Sequence, residues 1–336
     1  MYLPSGFSSE SPTRVLVGLR SIIILCGLAA ALAPCRVATG QTNLQFLVTG
    51  VNAEAAGIGD AGIGSSQAAF ASFWNPAAVA DAGLAGARGF YDGSTREEAE
   101  HEIGIAHHIW VGATRTYGAG GRFRAGRSGG VAVFAIATDT EAQSTVVPTG
   151  TAGATYLETG ATYARSFGSL LVGLTGKFIA QSVSSANSSG FAMDAGIIAD
   201  VFDHGVRMGA SLLHVGRMSD LPTIDTELPT TLRFGLALYP FRIVAVDDGF
   251  PLLDLMFALE VSQGLVEERM RVHVGASGVL LETLVARVGY VTNDPLRGPT
   301  MGLGLSYEAL NFDYAVIPFE DGFGGPGHIL TLTYGW

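Results

Sequence analysis

Cysteine occurs only twice in 336 residues, as Cys26 and Cys35, and both fall in an N-terminal stretch that reads as an export signal. The rest of the chain therefore offers no disulfide framework, no thiol nucleophile and no cysteine-ligated metal. Charge is also scarce. Asp, Glu, Lys and Arg make up 15% of residues, against about 25% in a soluble domain. Basic charge is the scarcer sign, 19 residues against 30 acidic ones. That excludes the basic stripe on which nucleic-acid recognition depends, and no nucleic-acid partner is expected. Long apolar runs are missing beyond residue 41, which leaves no helix able to cross a bilayer. No residues stand at metal-ligand spacing, so neither a metal nor another cofactor is expected.

What the chain does have is apolar surface and glycine. Hydrophobic residues are 48% and glycine is 46 of 336. The first 40 residues combine basic Arg14 and Arg20 with the apolar run Ser21 to Ala33. That run is about 13 residues, too short for a spanning helix and right for a signal peptide. Ala38 and Gly40 supply small residues before a cut at Gln41. A short membrane anchor is the alternative, and a lipoprotein signal at Cys35 is disfavoured by Pro34 directly before it. Removing Arg14, Arg20, Arg36 and Glu10 with the signal leaves 16 basic residues against 29 acidic ones.

Beyond the signal the dominant pattern is alternation. Leu170, Val172, Leu174 and Phe178 share one face of a segment whose other face holds Gly173, Thr175 and Lys177. Leu284, Ala286, Val288 and Tyr290 oppose Arg287 and Gly289. Leu330, Leu332, Tyr334 and Trp336 oppose Thr331, Thr333 and Gly335. Segments of about 10 residues, greasy on one side and small or polar on the other, fit the strands of a transmembrane β-barrel. The pattern predicts an all-β fold, a transmembrane antiparallel barrel of about 14 strands: 102–110, 113–124, 129–138, 154–166, 169–182, 190–202, 205–215, 229–240, 252–262, 269–280, 282–292, 300–308, 310–317 and 327–336. Longer connections at 139–153, 183–189, 216–228, 263–268, 293–299 and 318–326 alternate with tight ones, as outer loops alternate with periplasmic turns. The short 111–112 and the long 241–251 break that alternation. The domain reading is residues 1–40 as signal peptide, 41–100 as an N-terminal hatch and lead-in, and 101–336 as the barrel.

The charges respect the same register. Lys177, Asp194, Arg207, Arg233, Glu260, Arg271, His273, Arg287, Glu308 and Asp313 all fall on the less apolar face. A Lys or Arg on the lipid face near the midplane costs about 2–4 kcal/mol. They are therefore expected to line the lumen, either as solvated interior residues or as braces of opposite sign. The acidic stretches 219–229 and 319–325 fall in outer loops.

One motif points elsewhere at first. Gly57-x-Gly59-x-x-Gly62 follows the strand-like run Leu44 to Val48, and Asp81 lies about 20 residues on, which spells a dinucleotide-binding fingerprint. That chemistry needs parallel strands alternating with amphipathic helices, and none follows Ala80. The glycines are expected instead to let the backbone fold tightly inside a barrel mouth. A short helix over Gln67 to Phe73, capped by Ser65 or Ser66, ends at Asn75 before Pro76.

The run from Gly50 to Ala80 resembles the N-terminal signature of the PorV/PorQ family of outer-membrane proteins, related to the fatty-acid transporter FadL. Ala55, Ala56, Gly57, Gly59, Ala61, Trp74, Asn75, Pro76, Ala77 and Ala80 carry the match, with departures at Glu54, Asp60, Ala78 and Val79. At the other end Arg287, Gly289, Tyr290, Gly302, Gly304, Asp313, Tyr314, Ala315, Pro318, Gly327, His328 and Ile329 are similar to the family's closing pattern, though Val288 replaces its usual Ala and no Arg follows His328. The segment 83–100 is an extra piece. The resemblance implies a 14-strand FadL-like barrel with a small hatch, in which Gly57, Gly59, Gly62, Trp74, Asn75 and Pro76 serve a structural or gating role. It implies an outer-membrane location in a Gram-negative-type bacterium.

Two functions follow from it, a secretion component as the main reading and a channel as the alternative. PorV-like members act in type IX secretion, which would make this chain a non-enzymatic component with secreted cargo or secretion-system partners. FadL members pass hydrophobic molecules through the barrel wall, which would make it a channel with a hydrophobic ligand. A barrel enzyme is the third reading. It rests on His107 and His108 beside Trp110, for which no nucleophile motif is present, and adjacent strand residues face opposite ways.

Overall fold

The computed structural model describes residues 44–64, 68–81, 100–111, 114–143, 151–183, 186–201, 205–220, 226–240, 253–281, 283–294, 296–319 and 325–336. The expected signal at 1–40, most of the 83–100 piece and parts of both acidic stretches lie outside the described residues. Fourteen strands follow in order: β1 His101–Ile109, β2 Arg115–Arg124, β3 Gly129–Gln143, β4 Thr151–Phe167, β5 Leu170–Val183, β6 Ala186–Val201, β7 Val206–Met218, β8 Thr231–Leu238, β9 Leu253–Gly264, β10 Met270–Leu280, β11 Leu284–Val291, β12 Pro299–Tyr307, β13 Leu310–Ile317 and β14 Gly327–Gly335. Each pairs antiparallel with the next, and β1 pairs with β14, so the sheet closes into a barrel with no free edge.

Period-2 alternation is visible strand by strand. In β5, Leu174 and Phe178 are exposed while Thr175 and Lys177 are buried. In β12 the whole strand alternates, with Leu303 64% exposed on the outer face and Gly302 and Gly304 buried on the inner one. An apolar exterior around a polar interior is the inverse of a soluble barrel and the arrangement that lipid requires.

Three strands run further outward than the hydrophobic pattern indicates. The expected loop 183–189 is strand for most of its length, with only 184–185 between β5 and β6. β3 and β4 extend likewise through 139–143 and 151–153. The sequence of these extensions, Asp139 to Gln143, Thr151 to Gly153 and Ala186 to Ser189, carries no greasy–polar alternation. Alternation of greasy and polar residues marks only the part of a strand that meets lipid, so such extensions read as loops. Among the described pairings, one breaks register, a bulge at Met193/Ala195 opposite β7, where His214 adopts φ 59°.

The core is formed by the hatch against the inner wall. Its elements touch successive arcs of the barrel: the helix α1 (Ala53–Gly57) packs on β11–β14, the turn Gly62–Gly64 on β7–β9, the 3-10 helix Ala68–Phe73 on β1–β3, and the 3-10 helix Pro76–Ala80 on β3–β6. A segment that meets the whole circumference lies inside it. The hatch starts at the barrel end that carries the β7–β8 connection, where Leu44 and Leu47 pack with Leu228. It leaves at the opposite end, near the start of β7, where Asp81 meets Arg207.

Candidate functional site

The Gly57–Gly62 stretch is a helix terminus. α1 ends with Ile58 as its last cap residue; Gly59 N–H donates to Ala56 O at 3.2 Å and Asp60 N–H to Ala55 O at 2.8 Å. This is the paired-bond C-terminal cap that requires a left-handed residue after the helix, and Gly59 supplies it with φ 69°. Gly57 lies against Gly302 on β12, and Gly62 lies under the Trp74 ring. The glycines serve close packing of backbone on wall.

Asn75 does not merely end a helix. It opens the next one: its Oδ1 accepts from Ala77 N–H at 3.0 Å, with Pro76 at the first helical position. Its Nδ2 donates to Ile197 O on β6 and Ala210 O on β7, each at 3.1 Å. Trp74 donates its indole N–H to Asn52 Oδ1 at 3.3 Å, accepts at its carbonyl from Ser211 Oγ at 2.9 Å, and stacks under the Arg233 guanidinium at 4.8 Å. The expected helix over 67–73 is a 3-10 helix over Ala68–Phe73.

Opposite the hatch, the wall carries small residues where strands and hatch cross. A Cβ on Gly130 would collide with Val79, on Gly173 with Pro76, on Gly196 with Asn75, on Gly235 with Ile63, on Gly275 with Ile58 and on Gly289 with Gly59. The high glycine content is thus spent on a lumen wall that hatch backbone can touch.

Among the ten sequence-predicted inner residues, Arg207, Arg233, Glu260, His273 and Arg287 reach the hatch. Arg207 forks onto Asp200 with two 2.8 Å bonds and meets Asp81 at 2.5 Å. Arg233 pairs with Glu260 and donates to Asp60 O at 2.7 Å, while Glu260 accepts from Ile63 N–H at 2.9 Å. Arg287 pairs with Asp313 at 2.7 Å and lies 3.8 Å from Glu54. His273 binds Gly59 O at 2.8 Å. Arg271 pairs with Glu267 at 3.2 Å and Asp294 at 3.3 Å. Lys177 differs. It is held at 2.8 Å by both Glu158 and Asp194, all three on the wall, and faces the rings of Phe73 and Phe134 at 5.7 Å. Such a triad braces β4, β5 and β6 to one another.

Glu308 is a correction. It sits in the β12–β13 turn with φ 50° and an exposed side chain, so it does not line the lumen. Alternation assigns faces only inside a strand, and a left-handed turn residue has left the register.

The residues that sequence reading missed are the acidic partners on the hatch, Glu54, Asp60 and Asp81, and the loop cation Arg297. Arg297 pairs with Asp60 and forks onto Asp294 at 3.1 and 2.9 Å. A signal existed: Glu54 and Asp60 are two of the departures from the family motif. Burial favours the neutral acid at Asp294, but the Arg297 charge, the Leu296 N–H and Arg271 outweigh it and hold its carboxyl below the ordinary range.

The void between Ile63, Trp74, Asn75 and Gly209 is about 10 Å³, roughly the space of one water. The larger concavity, about 910 Å³, lies on the lipid-facing wall between Leu280, Leu284, Leu303, Leu305 and Phe312. Ser262 Oγ and His273 Nε2 are 2.8 Å apart, the spacing of a nucleophile and base. Both are buried, and the other His273 nitrogen is committed to Gly59. His107 stacks on Tyr117 at 4.7 Å, while His108 turns inward and meets Trp110 edge-on.

No protein-family model matches the chain, and no curated protein matches it. Among solved structures it is similar to the Ralstonia pickettii toluene transporter TbuX, with a TM-score of 0.54 and 12% identity over 87% of this chain and 100% of that one. It is also similar to the P. putida toluene transporter TodX, with a TM-score of 0.49 and 9% identity over 78% and 92% of the two chains. Identity this low speaks to fold alone, and on that the geometry and the TbuX likeness agree: the chain is a closed 14-strand antiparallel barrel of the outer-membrane kind with a short helix in its N-terminal region.

Proposed function

We propose that the protein is an outer-membrane channel for hydrophobic small molecules, exported by a cleaved signal over residues 1–40, with residues 44–81 as its closed hatch. The observation that carries the reading is the hatch itself. It fills the lumen across the whole circumference, yet is held by discrete polar contacts from Arg207, Arg233, Glu260, Arg287 and Asn75. A barrel that only had to be a solid wall would gain more from apolar packing, since buried ion pairs contribute little net stability. Toluene transport by a protein of the same fold supports an apolar cargo.

The secretion role of PorV-like proteins rests on the motif resemblance. Trp74, Asn75 and Pro76 are buried in hatch–wall contacts, so their presence is accounted for without a cargo surface. Uptake of labelled toluene at low concentration, by cells bearing a lipopolysaccharide outer leaflet, separates the readings. Faster uptake with the gene than without it is expected. Equal uptake, with exported proteins failing to reach the surface on deletion, would replace the channel with the secretion reading.

A further inference from the structure

Basic charge is scarce in this chain, 19 residues against 30 acidic ones, yet three arginines meet at one corner of the barrel wall. Arg124 ends β2, Arg127 lies in the turn 125–128, and Arg165 stands on β4 opposite Gly129. Two backbone bonds tie the corner together: Ala125 N–H donates to Gly129 O at 2.8 Å and Ser166 N–H to Ser128 O at 2.6 Å. Among the described residues the exposed acid here is Glu100, which Arg124 already holds at 2.7 Å. Asp81 and Glu102 are buried in the lumen. Arg127 and Arg165 are exposed and have no ion-pair partner among the described residues. Arg165 faces outward with Tyr163 and Phe167, and its guanidinium lies 5.5 Å from the Phe167 ring. A cation on the lipid face is costly at the midplane and tolerated near the interface, and Arg165 is two positions from the end of β4. A run of rings reaches the same corner. Tyr334 and Trp336 lie 5.7 Å apart, Trp336 and His101 5.5 Å, and His101 and Phe123 5.9 Å. Phe123 then stands opposite Val131, and Val131 opposite Tyr163. Aromatic girdles of this kind sit at the headgroup level of a bilayer.

We propose that this corner binds an anionic phospholipid of the surrounding bilayer: the Arg127 and Arg165 guanidiniums hold its phosphate, and its acyl chains lie along the exposed side chains of Tyr163, Leu174 and Val133. A guanidinium fork matches phosphate oxygens, and unpaired cations at the bilayer surface attract anionic lipid. The corner lies at the end that carries the tight turns 125–128, 168–169 and 308–309. Outer-membrane barrels keep such turns on the periplasmic side, so the leaflet is the one built of phospholipid and the occupant is not lipopolysaccharide. The inference rests on the barrel lying in an outer membrane and not on what passes through it.

The test is native mass spectrometry of the purified mature protein, released from micelles that contain phosphatidylglycerol and phosphatidylcholine in equal amounts. Wild type is expected to retain phosphatidylglycerol over phosphatidylcholine about tenfold or more, since one charge-assisted hydrogen bond is worth about that factor. Arg127→Gln combined with Arg165→Gln is expected to abolish the preference. Arg217→Gln, which changes an exposed arginine at the opposite end of β7, is expected to keep it. Equal retention of both lipids by wild type would overturn the site, as would an undiminished preference in a double variant that migrates as a folded, heat-modifiable barrel. Displacement of the lipid by inorganic phosphate at the same concentration would make this a free-anion site, and stronger retention of lipopolysaccharide would place the corner in the other leaflet; either result overturns the proposal. If the double variant does not fold, Arg165→Gln alone decides. The double variant is expected to take up toluene as wild type does, so a lipid site that fails leaves the uptake result untouched, and the reverse also holds.

Discussion

Asn75 occupies the space that a side chain at Gly196 would need. From that seat its amide bridges β6 and β7 through the carbonyls of Ile197 and Ala210. The wall is bare at Gly196 so that the hatch can bond to wall backbone directly. Gly196→Val is therefore expected to dislodge the Pro76–Ala80 turn, at about 1–3 kcal/mol for overpacking. The measurement is thermal unfolding in detergent beside bilayer conductance. A folded variant of unchanged stability and unchanged conductance would contradict the contact.

Asn75 itself has two separable jobs, acceptor to Ala77 N–H and donor to two carbonyls. Asn75→Ala loses both, about 1 kcal/mol for the cap and about 0.5–1.5 kcal/mol for each hydrogen bond lost to the wall carbonyls. Asn75→Asp keeps the acceptor, loses the donors and sets a carboxylate against two carbonyl oxygens. It is expected to be at least as destabilising as Asn75→Ala in urea titrations. A mild Asn75→Asp would show that the cap matters more than the bridge.

Arg207 neutralises Asp81 and Asp200 together. Arg207→Ala strands two buried carboxylates and is expected to cost about 3–5 kcal/mol. Asp81→Asn leaves the Arg207–Asp200 fork intact and is expected to cost clearly less. Equal costs in the same unfolding assay would mean that the hatch carboxylate, and not the fork, carries the stability.

The ion pairs of Asp294 with Arg297 and Arg271 have a pH dependence of defined sign. The Asp294 carboxyl is held below its ordinary range because the Arg297 charge and the Leu296 N–H outweigh the effect of burial. A depressed folded-state value contributes stability that is complete above the unfolded value, about 3.9, and is lost as pH falls through the folded value. The melting temperature of wild type minus that of Asp294→Asn should be flat from about pH 7 to 5 and shrink only in stronger acid. A difference that shrinks near neutral pH would contradict this assignment.

Glu308 is the control. It is exposed in a turn, and Glu308→Gln is expected to stay within about 0.5 kcal/mol of wild type with unchanged conductance. A conductance change would place it back among the lumenal charges.

Much of this architecture is legible in one dimension. A strand between lipid and lumen must alternate, and alternation together with turn residues locates β1 through β14 within a few residues. It fails at 139–143, 151–153 and 186–189, where the strand sequence carries no greasy–polar alternation. It also fails at Glu308, where a turn ends the register. The inward set Lys177, Asp194, Arg207, Arg233, Glu260, Arg271, His273, Arg287 and Asp313 is buried, because the penalty for charge in lipid acts residue by residue and needs no knowledge of partners.

Partners are what the sequence does not contain. Asp60 with Arg297, Glu54 with Arg287 and Asn75 with Ile197 and Ala210 join positions more than a hundred residues apart. Nothing local distinguishes Arg207, which holds the hatch, from Lys177, which braces the wall. The amino-acid order by itself determined that the chain forms a closed, lipid-facing barrel, since that depends on period and on one-sided polarity. Only the tertiary structure decided that Gly59 caps a helix within the lumen and that the wall glycines make room for it. Both depend on how closely two backbones approach, and that distance exists only once the barrel has closed around its own hatch.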